Sequence, residues 1–321
     1  MPISTSAFRP PMLLRSAHTQ TIWAKLFRRN PQPKYRRERV ELSDGDFLDL
    51  DCLDVEESAG SVVILPGMEG SSYSPYVRGL ACQLWQHNYS IVVLNFRGCS
   101  GEPNRLARTY HAGDTQDLEL VIATLIERGY EQNLYVCGFS LGGNVLLNYL
   151  GHIRNRTPIT GAVGVSVPFS LSGTVERLSN GISRLYQRHL LSSIRRKMTQ
   201  KSKLGECTHT TIIPKCAWRT LRDFDSDVTA KIHGFSSSDH YYEVASVTQF
   251  LSLITIPTLL IHALDDPFTE VTDIPREQDL GQNIHLEVSA YGGHVGFVSG
   301  YCGYWLDQRI TDFLNSLGGI N

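Results

Sequence analysis

The residues best placed to do chemistry are grouped around Ser140, in Gly138-Phe139-Ser140-Leu141-Gly142. A serine hydroxyl is a weak nucleophile at neutral pH. It needs a base to take its proton, an acid to orient the base, and hydrogen-bond donors for the oxyanion that forms. The G-x-S-x-G pattern supplies the turn: a strand ends, the serine sits strained at the apex, and a helix opens. Glycines belong two residues to either side because side chains there would collide with the neighbouring strand and helix. The bare pattern arises by chance in roughly one chain in ten of this size, so its weight depends on partners in the right order.

Two partners follow at expected strand ends. Asp265-Asp266-Pro267 comes after the apolar run from Pro257, and Gly292-Gly293-His294 after the run from Ile284. In this arrangement the chain order is Ser, then acid, then His, and functional groups gather at the carboxyl ends of the strands. His294, in a Gly-rich turn, is the expected base among eleven histidines. Asp266 is the preferred acid, with Asp265 free to brace the turn. The expected oxyanion donors are the backbone N–H of Leu141 and, from the loop opening Pro66-Gly67-Met68, that of Met68.

The elements that must position these residues follow a βαβ rhythm. Ser61–Leu65, Ile91–Phe96, Asn133–Phe139, Gly161–Val167 and Ile256–Ala263 are nearly continuous apolar runs, as in parallel strands buried on both faces. Helical patterns lie between them, including one opening at Ser74-Pro75. The pattern predicts a mostly parallel, doubly wound sheet. Arg39–Leu42 and Phe47–Asp51 read as an antiparallel hairpin whose second strand has one wet face. The rhythm breaks at Pro168 and resumes after Leu253. A span that long cannot be a plain loop, so the expectation is a helical cap over 169–253, a core over 39–168 and 254–321, and a basic N-terminal arm over 1–38.

Composition narrows the class. The chain has 321 residues and a formal net charge of −2, so no polyanion-binding field and no nucleic-acid partner are expected. Its seven cysteines are odd in number with no C-x-x-C spacing, which suits free thiols in a reducing, cytoplasmic setting. No apolar run reaches the roughly 18 residues of a membrane-spanning helix. His111, His233 and His240 lack metal-ligand spacing, H-E-x-x-H and phosphate-binding glycine loops are absent, and neither metal nor cofactor is expected. Residues 183–203 carry seven Lys/Arg and no acid. They read as the solvated face of the cap, with weak membrane-surface contact as the rival reading.

Gly138-Phe139-Ser140-Leu141-Gly142-Gly143-Asn144 with Gly67-Met68-Glu69-Gly70-Ser71 resembles the YheT-type branch of the α/β-hydrolases, which includes eukaryotic abhydrolase-domain proteins. Further matching segments are His18-Thr19-Gln20-Thr21, Arg97–Asn104, His233-Gly234-Phe235 with Asp239 and Tyr241-Tyr242, Asp265–Phe268 and Gly292–Phe297. The likeness therefore runs nearly the full length. It implies an α/β-hydrolase fold, a triad of Ser140, Asp266 and His294, and hydrolysis of carboxylic esters or acyl lipids without a cofactor. The family usually opens its oxyanion loop with His-Gly, where this chain has Pro66-Gly67; the Met68 donor remains but a bracing histidine is lost. An acyltransferase using the same residues and a non-hydrolytic binding protein on the same fold are the alternatives.

Overall fold

The computed structural model describes residues 2–28, 32–130, 133–203, 218–300 and 303–318. Cys207, Cys216 and Cys302 fall outside them, while Cys52, Cys82, Cys99 and Cys137 are free thiols. Nine strands form one sheet: β1 (Ile3–Thr5), β2 (Arg36–Glu41), β3 (Phe47–Leu53), β4 (Gly60–Leu65), β5 (Tyr89–Asn95), β6 (Leu134–Phe139), β7 (Gly161–Val165), β8 (Thr258–Ala263) and β9 (Ile284–Ser289). Their spatial order is β1-β9-β8-β7-β6-β4-β5-β3-β2. Pairings from β5 to β1 are parallel, and β3 joins β2 and β5 antiparallel.

Alternation along each strand builds two cores. Val63, Leu65, Val92, Leu94 and Val136 face one side, under α3 (Gln116–Glu127) and α4 (Leu141–Ile153). Val62, Ile64, Ile91, Val93 and Cys137 face the other, under α2 (Pro75–Gln86) and α10 (Trp305–Gly318). Leu118, Val121, Ile122 and Leu125 of α3, and Val77, Leu80, Ala81 and Leu84 of α2, are the buried stripes their spacing predicts. Between β7 and β8 the described chain is helical: α5 (Leu171–Leu178), α6 (Arg184–Lys203), the short α7 (Leu221–Phe224), a π turn (Asp225–Thr229), α8 (Ala230–His233) and α9 (Ser238–Ala245). Val247–Leu253 then returns to lie on α4, with Phe250 against Gly151.

One expectation needs correction. β3 has no wet face: Asp49 and Asp51 are buried. Arg39 grips Asp49 through two hydrogen bonds and Arg37 grips Asp51 the same way, while Ser100 and Ser72 hydroxyls complete the two carboxylates. Alternating hydropathy cannot register charges that are buried in pairs. The stretch before residue 39 does not hang free. β1 pairs parallel with β9 at the sheet edge, and α1 (Ala17–Phe27) packs near the site described below. In α6, Leu191, Ile194 and Met198 are buried but Leu185 is exposed on another face.

The loop after β5 is tied to the β2–β3 edge of the sheet and to α3. Arg97 is buried, with a bidentate bond to Asp117 (2.8 and 2.7 Å) and further bonds to Asp44 (2.7 Å) and Asp46 (3.1 Å). Asn104 Nδ2 also donates to Asp46 (2.6 Å). Removing one partner from such a buried set leaves uncompensated charge. Arg97→Ala should therefore lower unfolding stability by about 3–5 kcal/mol in denaturant titrations, whereas removing Glu41, the exposed partner of Arg105, should leave stability nearly unchanged.

Candidate active site

Ser140 stands at the turn between β6 and α4 with φ 51° and ψ −121°, a left-handed backbone that a non-glycine residue adopts only under constraint. Its N–H donates to Val165 O of the neighbouring strand (2.8 Å). The flanking glycines are sterically required. A Cβ on Gly142 would lie 2.4 Å from the carbonyl oxygens of Leu65 and Pro66, and one on Gly138 would lie 2.6 Å from the Gly142 and Gly143 backbone. So the turn packs directly against the end of β4, and Gly67 of the following loop reaches Ser140 itself.

His294 meets that serine. Its Nε2 lies 2.9 Å from Ser140 Oγ, and its Nδ1 lies 2.8 and 3.1 Å from the two oxygens of Asp266. Asp266 is buried and also accepts the N–H of Phe268 (2.8 Å), whose ring stacks flat on the His294 imidazole at 3.9 Å. With the Asp266 carboxylate accepting at Nδ1–H, the neutral imidazole presents Nε2 as an acceptor to the serine hydroxyl. Asp265 takes the bracing role: its Oδ1 accepts the N–H of Gly293 (2.9 Å), and burial pushes its carboxyl up to about 6.

The N-terminal helix holds the histidine loop. Thr21 Oγ1 accepts the N–H of His294 (2.9 Å). Gln20, fully buried, accepts the N–H of Val298 (2.6 Å) and donates to the carbonyls of Leu14 and Val298. Gly293, at φ +57°, lets α1 come close, since a Cβ there would meet Ala17 O at 2.4 Å. These contacts explain the His18–Thr21 segment; the motif signalled that it matters, but not how.

Met68 and Leu141 both border the cavity beside Ser140. Leu141 is the first residue of α4, so its N–H has no carbonyl one turn earlier to bond. Two tyrosines hold the backbone of the loop after β4. Gly67 N–H donates to Tyr76 Oη (2.8 Å), and Glu69 N–H, at φ 58°, donates to Tyr110 Oη (2.7 Å). The Glu69 carboxylate accepts from Tyr110 Oη (2.8 Å) and from Lys197 Nζ of α6 (2.6 Å). Neither tyrosine nor Lys197 is marked in the sequence: none belongs to the motif it holds, and Tyr110 and Lys197 reach Glu69 from 41 and 128 residues away.

The cavity itself has a volume of about 630 Å³ and mostly apolar walls, within the range of small-molecule sites. Walls come from α1, α5, α6 and the residues around Tyr241 and Tyr242. Asp225 is a polar exception. It accepts from Thr229 Oγ1 (2.7 Å) and Tyr242 Oη (2.8 Å) inside the π turn. Elsewhere, His111, Asp114 and His233 bring ligand atoms within 4.8 Å of one another, although their sequence spacing gives no sign of it. Arg108 holds both Asp114 oxygens and His111 Nδ1 accepts the N–H of Gly113, while His233 Nε2 is buried with no hydrogen-bond partner among the described residues.

The α/β-hydrolase fold model matches residues 60–301. YheT of Escherichia coli (strain K12), a proposed esterase, is 36% identical over 98% of this chain and 94% of its own length. The chain belongs to the YheT-type branch of the α/β-hydrolases. Mouse phospholipase ABHD3 is 29% identical, covering 98% of this chain and 80% of that protein. The esterase Pf2001 of Pyrococcus furiosus shares the fold with a TM-score of 0.58 at 17% identity, over 90% of this chain and 98% of that one. This α/β-hydrolase therefore has its histidine loop, its serine turn and its Gly67-Met68 loop converging on one apolar cavity.

Burial raises the Asp225 carboxyl to about 6, against the pull of its two hydroxyl donors. A carboxyl raised on folding adds stability below its unfolded value of about 4, and that stability is lost as pH rises through about 6. Asp225→Asn removes the titration. The melting temperature of the wild type relative to this variant should therefore fall between pH 5 and pH 8, and a constant difference across that window would contradict the assignment.

Proposed function

We propose that the chain is a serine hydrolase that cleaves carboxylic esters, with acyl lipids as the substrate class. The reading rests above all on the continuous hydrogen-bonded series from Ser140 Oγ through His294 to Asp266. Ser140 Oγ attacks the ester carbonyl as His294 Nε2 takes its proton. Asp266 holds the Nδ1–H and stabilises the imidazolium. The N–H groups of Met68 and Leu141 receive the oxyanion. His294 then protonates the departing alkoxide, which leaves Ser140 acylated. Water attacks the acyl-enzyme, passes a proton to His294, and the carboxylic acid departs as Ser140 regains its hydrogen. No cofactor takes part in any step.

The apolar walls of the cavity support an acyl chain as its occupant. The relatives' names point the same way: phospholipase ABHD3 and, at 27% identity, monoacylglycerol lipase ABHD2 of mouse. In this reading the helices between β7 and β8 act as a cap over 169–253. Lys197 ties that cap to the oxyanion loop through Glu69.

An alkyl fluorophosphonate should label the folded wild type at Ser140 and leave Ser140→Ala unlabelled, with ester turnover in the variant lower by roughly 10⁴-fold or more. No label on folded wild-type protein would sink the proposal. A second expectation concerns the brace on the histidine loop. Thr21→Val keeps the shape of the side chain but leaves the His294 N–H unpaired, a loss of about 1–3 kcal/mol. It should lower kcat for a soluble ester about tenfold or more with little change in KM.

A further inference from the structure

The mouth of the cavity is built by two helices far apart in sequence, α1 and the start of α6. Lys25 Nζ donates to His189 Nε2 (2.6 Å) and His18 Nδ1 bonds Tyr186 Oη (2.9 Å), so the two helices adjoin. Ile22, Leu26 and Leu185 line the cavity and yet are 43%, 66% and 61% exposed. Phe27 and Ile182, neighbours of these residues in the chain, are also more than half exposed. Single exposed apolar residues mean little. Several on adjoining helices at the mouth of an apolar cavity mark a contact surface.

The charges beside it have one sign. Residues 1–37 and 183–203 contain no acid. Of the cations of α6, Lys197 and Lys201 turn inward, to Glu69 and to Asn104 Oδ1, and Arg195 donates to the carbonyl of Trp218. Arg184, Arg188 and Arg196 are exposed, and none forms an ion pair with another described residue. Lys25 and Arg15 are exposed on the α1 side. Exposed apolar side chains among cations, with no acid in either segment, complement a surface that is anionic outside and apolar within.

We propose that the α1–α6 rim seats on an anionic lipid surface, so that an acyl chain passes from that surface into the cavity without crossing water. This rests on the acyl-lipid reading given above. The rim would place Ile22, Leu26, Phe27, Ile182 and Leu185 in the headgroup–acyl boundary, with Arg184 and Arg188 at the level of the lipid phosphates.

Co-sedimentation with vesicles of phosphatidylcholine alone, or with 30% phosphatidylglycerol, tests the proposal, using Ser140→Ala so that the vesicles stay intact. Binding should be at least tenfold stronger to the anionic vesicles and should weaken as salt rises. Phe27→Glu/Ile182→Glu and, separately, Arg184→Glu/Arg188→Glu should each reduce it tenfold or more. Both pairs lie outside the reacting groups and the cavity wall, so both should keep fluorophosphonate labelling in the Ser140 form and hydrolysis of a soluble short-chain ester, which also reports that they fold. Absence of binding to anionic vesicles at low salt, equal binding to both vesicle types, or unchanged binding by both double variants would overturn it. So would a dimer in sedimentation velocity that Phe27→Glu/Ile182→Glu abolishes, seen without vesicle binding. Loss of fluorophosphonate labelling with vesicle binding intact would instead strike the hydrolase reading alone.

Discussion

Close backbone approach at the turn after β6 is the constraint on which the site depends. Gly142 presses against the carbonyls that end β4, and Gly138 presses against the start of α4. Neither position has room for a single methyl group. With that approach in place, Ser140 is driven to positive φ, Leu141 begins α4, and the Gly67-Met68 loop arrives beside the serine. One packing event thus brings Ser140, Met68 and Leu141 together. The strain at Ser140 is held by buried strands on either side, β4 and β7.

A second set of contacts brings the histidine to the serine. β8 and β9 deliver Asp266 and His294 at their carboxyl ends, but the loop carrying His294 is itself shaped by residues far from it. Asp265 holds the Gly293 N–H, Thr21 holds the His294 N–H, and Ser166 holds the Val295 N–H. Each is a hydrogen bond to the loop backbone, so together they fix where the imidazole can point. Helix α1 therefore belongs to the site's framework. The same logic extends to α6, which both borders the cavity and anchors the Gly67–Glu69 loop through Lys197.

Much of this is legible in the sequence because it is local. The glycines around Ser140, the strand ends before Asp266 and His294, and the continuous apolar runs all leave short-range signatures. Sequence order alone left Asp265 and Asp266 as alternatives; the structure separates them, one bonded to a backbone N–H and the other to the imidazole. What escapes the sequence is pairing across long separations. Asp49 and Asp51 look like the wet face of a strand until Arg39 and Arg37 are seen to neutralise them. Tyr76 and Tyr110 hold the Gly67 and Glu69 N–H groups from positions that no local pattern distinguishes. His111 and His233 meet in space without any spacing rule.

The central claim is that Ser140 carries the acyl group during turnover. Intact-mass and peptide mass spectrometry of wild-type protein, acid-quenched while it turns over a long-chain p-nitrophenyl ester, tests this directly. The account predicts a mass increase of one acyl group, located on the peptide containing Ser140 and absent from His294→Ala. Turnover with no acyl adduct at any time point, or an adduct on a different residue, would contradict it.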